Sequence, residues 1–218
     1  MKRFLPLMLD LTGKEVVIFG AGAVGERKAL FFSMVAEVSV ISRDFTPALE
    51  RLFEDGKIKL IKVQDLTDDE ILRHMKNAFI AIPATSDALM NENIASIADR
   101  SGKLVNRVDD MGDIIVPSVI RRGDIVIGIS TLGQSPALSK FIRQRLEEVI
   151  TPEFSQMARL QNESREMLKS KVKDQKKRSE ILWNIINDDE VWSAFGESYE
   201  KAYKVALKHI DRIGKRYD

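Results

Sequence analysis

From Glu15 to Phe19 the chain reads EVVIF, a short β-branched and aromatic run that leads into Gly20. The following AGAVGERKALFF spaces its apolar positions as a helix does. Strand, glycine turn and helix therefore succeed one another directly. A second β-branched run, VSVI over residues 38–41, arrives at the distance a right-handed β-α-β unit requires. The same patterning predicts strands at 58–63, 78–82 and 103–106 and helices at 47–54, 68–76 and 88–100. Alternation of this kind implies an α/β fold with a Rossmann-like, doubly wound parallel sheet.

The pattern changes after Met111. IIVPSVI and DIVIGIS flank Arg121, Arg122 and Gly123, which predicts an antiparallel hairpin turning on those three residues. Ser135 followed by Pro136 is a hydroxyl N-cap with proline at the first helical position, so a helix is expected to start there and to run to Ile150. Residues 153–218 contain no strand-like run. The expected organisation is a dinucleotide-binding domain over 1–112, a dimerisation segment over 113–150 and an all-helical domain over 151–218.

Composition narrows the chemistry. The chain has no cysteine, which excludes disulfides, iron–sulfur clusters, thiolate zinc sites and a cysteine nucleophile. Lys and Arg number 34 against 33 Asp and Glu, so no global charge points to nucleic acid or an anionic membrane. No apolar run reaches the roughly 18 residues of a membrane span, and residues 1–11 lack a signal cleavage site. A cytoplasmic protein that binds neither nucleic acid nor membrane is expected. His74 and His209 have no metal-site spacing.

Gly20, Gly22 and Gly25 form G-x-G-x-x-G between a strand and a helix. In a dinucleotide site the first glycine makes the tight turn, the second admits the pyrophosphate, and the third lets helix and strand approach. The helix beginning near Ala23 and Val24 would present free N–H groups and its positive dipole end to that anion. Asp44 lies near where an acid meets the adenosine ribose, but Arg43 beside it could receive the 2′-phosphate of NADP, and both could be solvated loop charges. Ala84 and Thr85 end the fourth strand with small side chains, suited to close approach of a dinucleotide or simply to a strand-to-helix turn. Asp109, after the fifth strand, is placed for acid–base work at the carboxyl edge, with Asp110 beside it; the competing reading makes both turn formers before Gly112.

The segments PLMLDLTGKEVVIFGAGAVGERKA, ATSDALMN, VNRVDD and PSVIRRGDIVIGISTLGQSPALSKFIRQRLE resemble the N-terminal module of siroheme synthases, a family of precorrin-2 dehydrogenases and bifunctional dehydrogenase–ferrochelatases. The resemblance covers residues 5–150 clearly and the helical tail loosely. It is most specific where the glycine turn, followed by Arg27 and Lys28, is paired with the later ISTLGQSPAL. It implies NAD as cofactor, a tetrapyrrole substrate, a homodimer, Asp109 as catalytic acid, and cofactor contacts at Gly22, Ala23, Val24, Arg43, Asp44, Ala84 and Thr85.

Three positions depart from the family pattern. Val35 replaces a frequent glycine at a helix end, where a left-handed cap would be strained. Leu132 replaces the usual glycine in STLGQSP, and Arg107 replaces a small apolar residue. Arg107, Arg121, Arg122 and the basic stretch 169–178 are candidate partners for substrate carboxylates, the last being more simply a solvated face. Two other functions fit the same residues: a bifunctional enzyme that also inserts iron, and a non-catalytic NAD-sensing module. The apolar hairpin needs a second surface, since an isolated ribbon is marginal in water, and a two-fold partner chain would supply it.

Overall fold

A computed structural model describes residues 3–108 and 112–214, with side chains to residue 211. The chain divides into two compact units, Met1–Val116 and Pro117–Asp218.

In the first unit β1 (Glu15–Phe19), α1 (Ala23–Phe32), β2 (Glu37–Ser42), α2 (Pro47–Glu54), β3 (Lys59–Lys62), α3 (Asp68–Met75), β4 (Ala78–Pro83), α4 (Ala88–Arg100) and β5 (Leu104–Val105) alternate as the sequence predicts. All five strands are parallel in the order β3-β2-β1-β4-β5. The order reverses between β1 and β4, which creates a crevice at the carboxyl ends of those strands. β1 reads as an unbroken apolar run because both its faces are buried. Val16 and Ile18 pack with Val38, Val40, Ile80 and Ile82 against Ala29 and Phe32 of α1 and Leu49 of α2. Val17 and Phe19 face the other way, with Ile41 and Ala81, onto Ile71 and Met75 of α3 and Ile94 and Ile97 of α4. Truncating one of these fully buried side chains, such as Ile80→Ala, would cost about 2–5 kcal/mol.

The helix starts follow the local chemistry. The hydroxyls of Thr46 and Thr67 cap α2 and α3 by accepting from Leu49 and Glu70 N–H, and Asp87 caps α4 from Leu89 and Met90 N–H. Val35 does not adopt the left-handed conformation expected of it. α1 ends at Phe32 with Ser33 as a right-handed cap, and the Val35 and Ala36 N–H groups both donate to the Phe32 carbonyl, so no glycine is needed.

In the second unit β6 (Ser118–Arg122) and β7 (Ile125–Ile129) pair antiparallel. Arg121 and Arg122 lie in β6 rather than in the turn. The connection is Gly123–Asp124, with Gly123 at φ +57° as a two-residue hairpin loop requires. Residues 114–117 are not strand. α5 (Pro136–Val149) begins at the expected cap, Ser135 Oγ accepting from Leu138 N–H at 3.2 Å.

α6 (Glu153–Lys171), α7 (Gln175–Ile186), α8 (Asp189–Phe195) and α9 (Tyr199–Gly214) complete this unit around Met157, Leu160, Leu168, Ile185, Val191 and Val205. At the edge of that core the Tyr199 hydroxyl donates to Glu163 at 2.9 Å, and burial together with this carboxylate pushes its pKa up to about 12.

The one non-glycine residue with positive φ among those described is Leu132, at +50°. Leu132 and Gly133 (φ +79°) are the two central residues of a turn closed by Gln134 N–H to the Thr131 carbonyl at 3.0 Å. Both centres need positive φ, so the family's glycine at position 132 has a backbone cause and this chain carries strain there.

Candidate dinucleotide site

The three glycines of the turn after β1 have different causes. Gly20 lies at φ +109°, and a Cβ there would fall 2.3 Å from the Ala84 carbonyl oxygen and 2.8 Å from Thr85 N. Gly25 has ordinary helical geometry, but a Cβ on it would sit 2.0 Å from the Gly20 carbonyl oxygen. The fold itself demands both. Gly22 is otherwise: its φ is −73°, open to any residue, and a Cβ would meet nothing within 4 Å. Neither backbone conformation nor packing within the chain accounts for glycine at position 22.

Gly22 is also the N-cap of α1, and it offers no side-chain cap. The first intrahelical bond is Glu26 N–H to the Gly22 carbonyl at 2.9 Å. Ala23, Val24 and Gly25 therefore have N–H groups with no intrahelical acceptor. The other helices of this unit, α2, α3 and α4, each have one or two such groups met by a side-chain cap, Thr46, Thr67 and Asp87. Donors, helix dipole and cleared space coincide at Gly22, which fits the pyrophosphate of a dinucleotide.

On one side of this turn lies the end of β2. Asp44 is exposed there, 3.4 Å from Lys62. Arg43 is held against the far end of β3, its Nε donating to the Gln64 carbonyl at 2.6 Å and its Nη2 to Asp65 at 3.0 Å. On the other side, β4 leads into Ala84, whose N–H donates to the Phe19 carbonyl at 2.8 Å. Asn91, one turn into α4, holds Thr85 in place: its Oδ1 accepts from the Thr85 N–H (2.9 Å) and hydroxyl (2.8 Å), and its Nδ2 donates to the Thr85 carbonyl (3.0 Å). Sequence reasoning quoted ATSDALMN without seeing this role. The spacing from a strand end to the first turn of the next helix was the available signal.

Asp109 lies outside the described residues, but the chain before it is hydrogen-bonded to the chain after it. Asp113 and Ile114 N–H donate to the Val105 carbonyl at 3.0 and 3.3 Å, and the Asp113 carboxylate accepts from Val105 N–H at 3.2 Å. A Cβ on Gly112 would be 2.3 Å from the Val105 carbonyl oxygen, so the returning chain passes too close for any other residue. Val105 and Asn106 are thereby tied to Asp113 and Ile114 at the carboxyl edge of β5. Arg107 pairs with Glu92 of α4.

Lys28 is a feature that the sequence left unexplained. It is partly buried on α1 and has no hydrogen bond or ion pair among the described residues. Burial, with the charge of Arg27 as a lesser cause, pushes its pKa down to about 8.

Several of the other candidate cations have local partners. Arg122 Nε donates to the Ile150 carbonyl at 3.0 Å and closes the end of α5. Arg178 caps α6 through the Val172 and Lys173 carbonyls, Lys169 pairs with Glu166, and Lys171 lies 3.5 Å from Asp211. Each histidine has a carboxylate partner: His74 with Glu70 at 3.2 Å, His209 with Asp188 at 2.6 Å. Among the described residues no cluster of His, Asp and Glu could hold a metal ion, and no helix is long and apolar enough to cross a membrane.

Residues 7–118 match the family described as "Putative NAD(P)-binding". Across 209 residues the chain is 50% identical to the precorrin-2 dehydrogenase of Methanosarcina barkeri, covering 95% of this chain and 93% of the relative. The chain belongs to the precorrin-2 dehydrogenase family. A siroheme synthase of Neisseria meningitidis is 32% identical over 173 residues, 78% of this chain but 35% of that longer protein. The solved structure of SirC, precorrin-2 dehydrogenase, superimposes with a TM-score of 0.74 over 96% of this chain and all of that one, at 24% identity. Its likeness extends the shared fold through the helical unit. The family match covers the glycine turn described above.

Proposed function

We propose that this chain oxidises precorrin-2 to sirohydrochlorin with NAD as the hydride acceptor. The observation that carries the reading is Gly22, a glycine with no cause inside the fold, set beneath three N–H groups that α1 leaves without acceptors. Ala23 and Val24 would donate to the pyrophosphate, and Asp44 would accept from the adenosine ribose. With Arg43 tied to Asp65, NAD is favoured over NADP. When bound, the nicotinamide supplies the two-electron acceptor.

Loss of two hydrogens from the macrocycle sends a hydride to the cofactor and releases a proton. Asp109 takes that proton. Its place is supported by the way Asn106, Asp113 and Ile114 tie the flanking chain to the carboxyl edge of β5, where open α/β sheets bind ligands. The reaction belongs in the cytoplasm, where NAD is supplied.

Residues 113–150 act as the dimerisation segment of a homodimer. Leu138, Phe141 and Val149 of α5 are about half exposed or more, which supports cover by a second copy. Sedimentation should give a dimer at micromolar concentration; a fully active monomer would overturn this assignment.

The deciding experiment is an anaerobic incubation with precorrin-2 and NAD, with NADH formation and the product spectrum followed together. One NADH per sirohydrochlorin is expected. Asp109→Ala should keep its NAD affinity and lose turnover by about two to four orders of magnitude. Binding of NAD with no reduction by any precorrin-2 sample would instead make the protein a sensor.

A further inference from the structure

Asn106 follows β5 directly and is 3% exposed. Its N–H donates to the Ala81 carbonyl at 3.0 Å, so it extends the pairing of β4 and β5 to the carboxyl edge. Its Nδ2 donates to the Ile114 carbonyl, also at 3.0 Å. That bond fixes the orientation of the amide, because a flipped amide would set two carbonyl oxygens against each other. Oδ1 is left buried with no donor among the described residues. A buried amide oxygen without a partner is costly, and native chains retain few of them.

The topology says what could reach it. The strand order is β3-β2-β1-β4-β5, so a dinucleotide whose pyrophosphate sits at Gly22 has its adenosine half toward β2 and its nicotinamide half toward β4 and β5. The carboxamide of the nicotinamide brings two N–H donors. At that edge Thr85 is already engaged by Asn91 and Asp87. The Oδ1 of Asn106 is not.

We propose that Asn106 is a positioning residue whose Oδ1 accepts a hydrogen bond from the nicotinamide carboxamide and so fixes which face of the ring is turned to the substrate. The inference rests on the dinucleotide reading above. Because Oδ1 is covered, the donor reaches it with a shift of the side chains over it, of the rotamer-change size common at binding sites. The same side chain ties Ile114 to the edge, which couples ring orientation to the chain that follows Asp109.

Calorimetric titration tests this with three ligands: NAD, 3-acetylpyridine adenine dinucleotide, in which a methyl ketone replaces the amide, and ADP-ribose, which lacks the ring. The native chain is expected to bind NAD about tenfold more tightly than the acetylpyridine analogue. In Asn106→Leu that ratio should fall below about twofold while ADP-ribose affinity is kept, a pattern that loss of folding alone would not produce. If Asn106→Leu does not fold, as judged by thermal unfolding, Asn106→Ser takes its place, being too short to reach the same donor. Equal binding of NAD and the analogue by the native chain, or discrimination unchanged in a folded variant, would overturn the role of Asn106. Failure of the native chain to bind ADP-ribose and NAD alike would overturn the dinucleotide reading itself.

Discussion

A Cβ on Gly25 would sit 2.0 Å from the carbonyl oxygen of Gly20, so α1 and the turn that precedes it are packed backbone to backbone. Gly25→Ala cannot be accommodated without moving the helix, whereas a Cβ at position 22 meets nothing within 4 Å. The first should destabilise the protein by about 2–4 kcal/mol in urea unfolding. Gly22→Asp should leave the unfolding midpoint almost unchanged and abolish NAD binding, through charge and bulk at the pyrophosphate. NAD binding by a folded Gly22→Asp protein would count against the site.

On the proposed reading, the end of β2 decides between NAD and NADP. Asp44→Ala should weaken NAD by about tenfold, the loss of a charged hydrogen bond to ribose. Arg43→Ala should change NAD affinity by less than about threefold, since its guanidinium is held by Gln64 and Asp65. Freeing it with Asp65→Ala should improve NADP binding relative to NAD. Competition titrations with the two dinucleotides read all three.

Lys28 predicts a pH dependence. Its amine has a pKa of about 8 in the folded chain against an ordinary 10.5. Below about pH 8 it is charged in both states and the folded state bears the cost of burying it. Between about pH 8 and 10.5 only the unfolded chain holds the proton, so stability rises with pH across that window. Lys28→Met should therefore raise stability at pH 7 by about 1–3 kcal/mol, and the difference from the native chain should shrink as pH approaches 10.5. A variant with the same stability as the native chain at pH 7 would show that solvent already reaches the amine.

Leu132 holds its left-handed conformation without burying its side chain, which is 41% exposed. Leu132→Gly should relieve the strain and raise stability by about 0.5–1 kcal/mol, after allowance for the greater freedom of glycine in the unfolded chain. Denaturant midpoints of the two proteins give the answer.

Much of this architecture was legible in the sequence because it is local. β1 and β4 announced themselves by apolar runs, α5 by Ser135 and Pro136, and the tight turn after β1 by glycine spacing. What escaped depends on partners distant in sequence. Arg121 and Arg122 look like turn residues until pairing with Val126 and Ile125 places them in β6. Left-handed strain was expected at Val35 and is found at Leu132, because the end of α1 is satisfied by right-handed turns that no single residue signals. Asn106, Asn91 and Gly112 act through bonds or close approaches to Ile114, Thr85 and Val105, contacts that no periodicity encodes. Arg43 and Asp44 left the cofactor preference open in the sequence, since the ion pair of Arg43 with Asp65 is a contact in space only.

The closure formed by Val105, Asp113 and Ile114 has an evolutionary consequence. Val105 and Asn106 are joined directly to Asp113 and Ile114, so the pairing of these two stretches does not depend on the sequence between them. Chemistry at this edge is thereby insulated from stability, and the two can be selected separately. A lineage could exchange the acid there, or alter what it recognises, while keeping the same scaffold and the same cofactor.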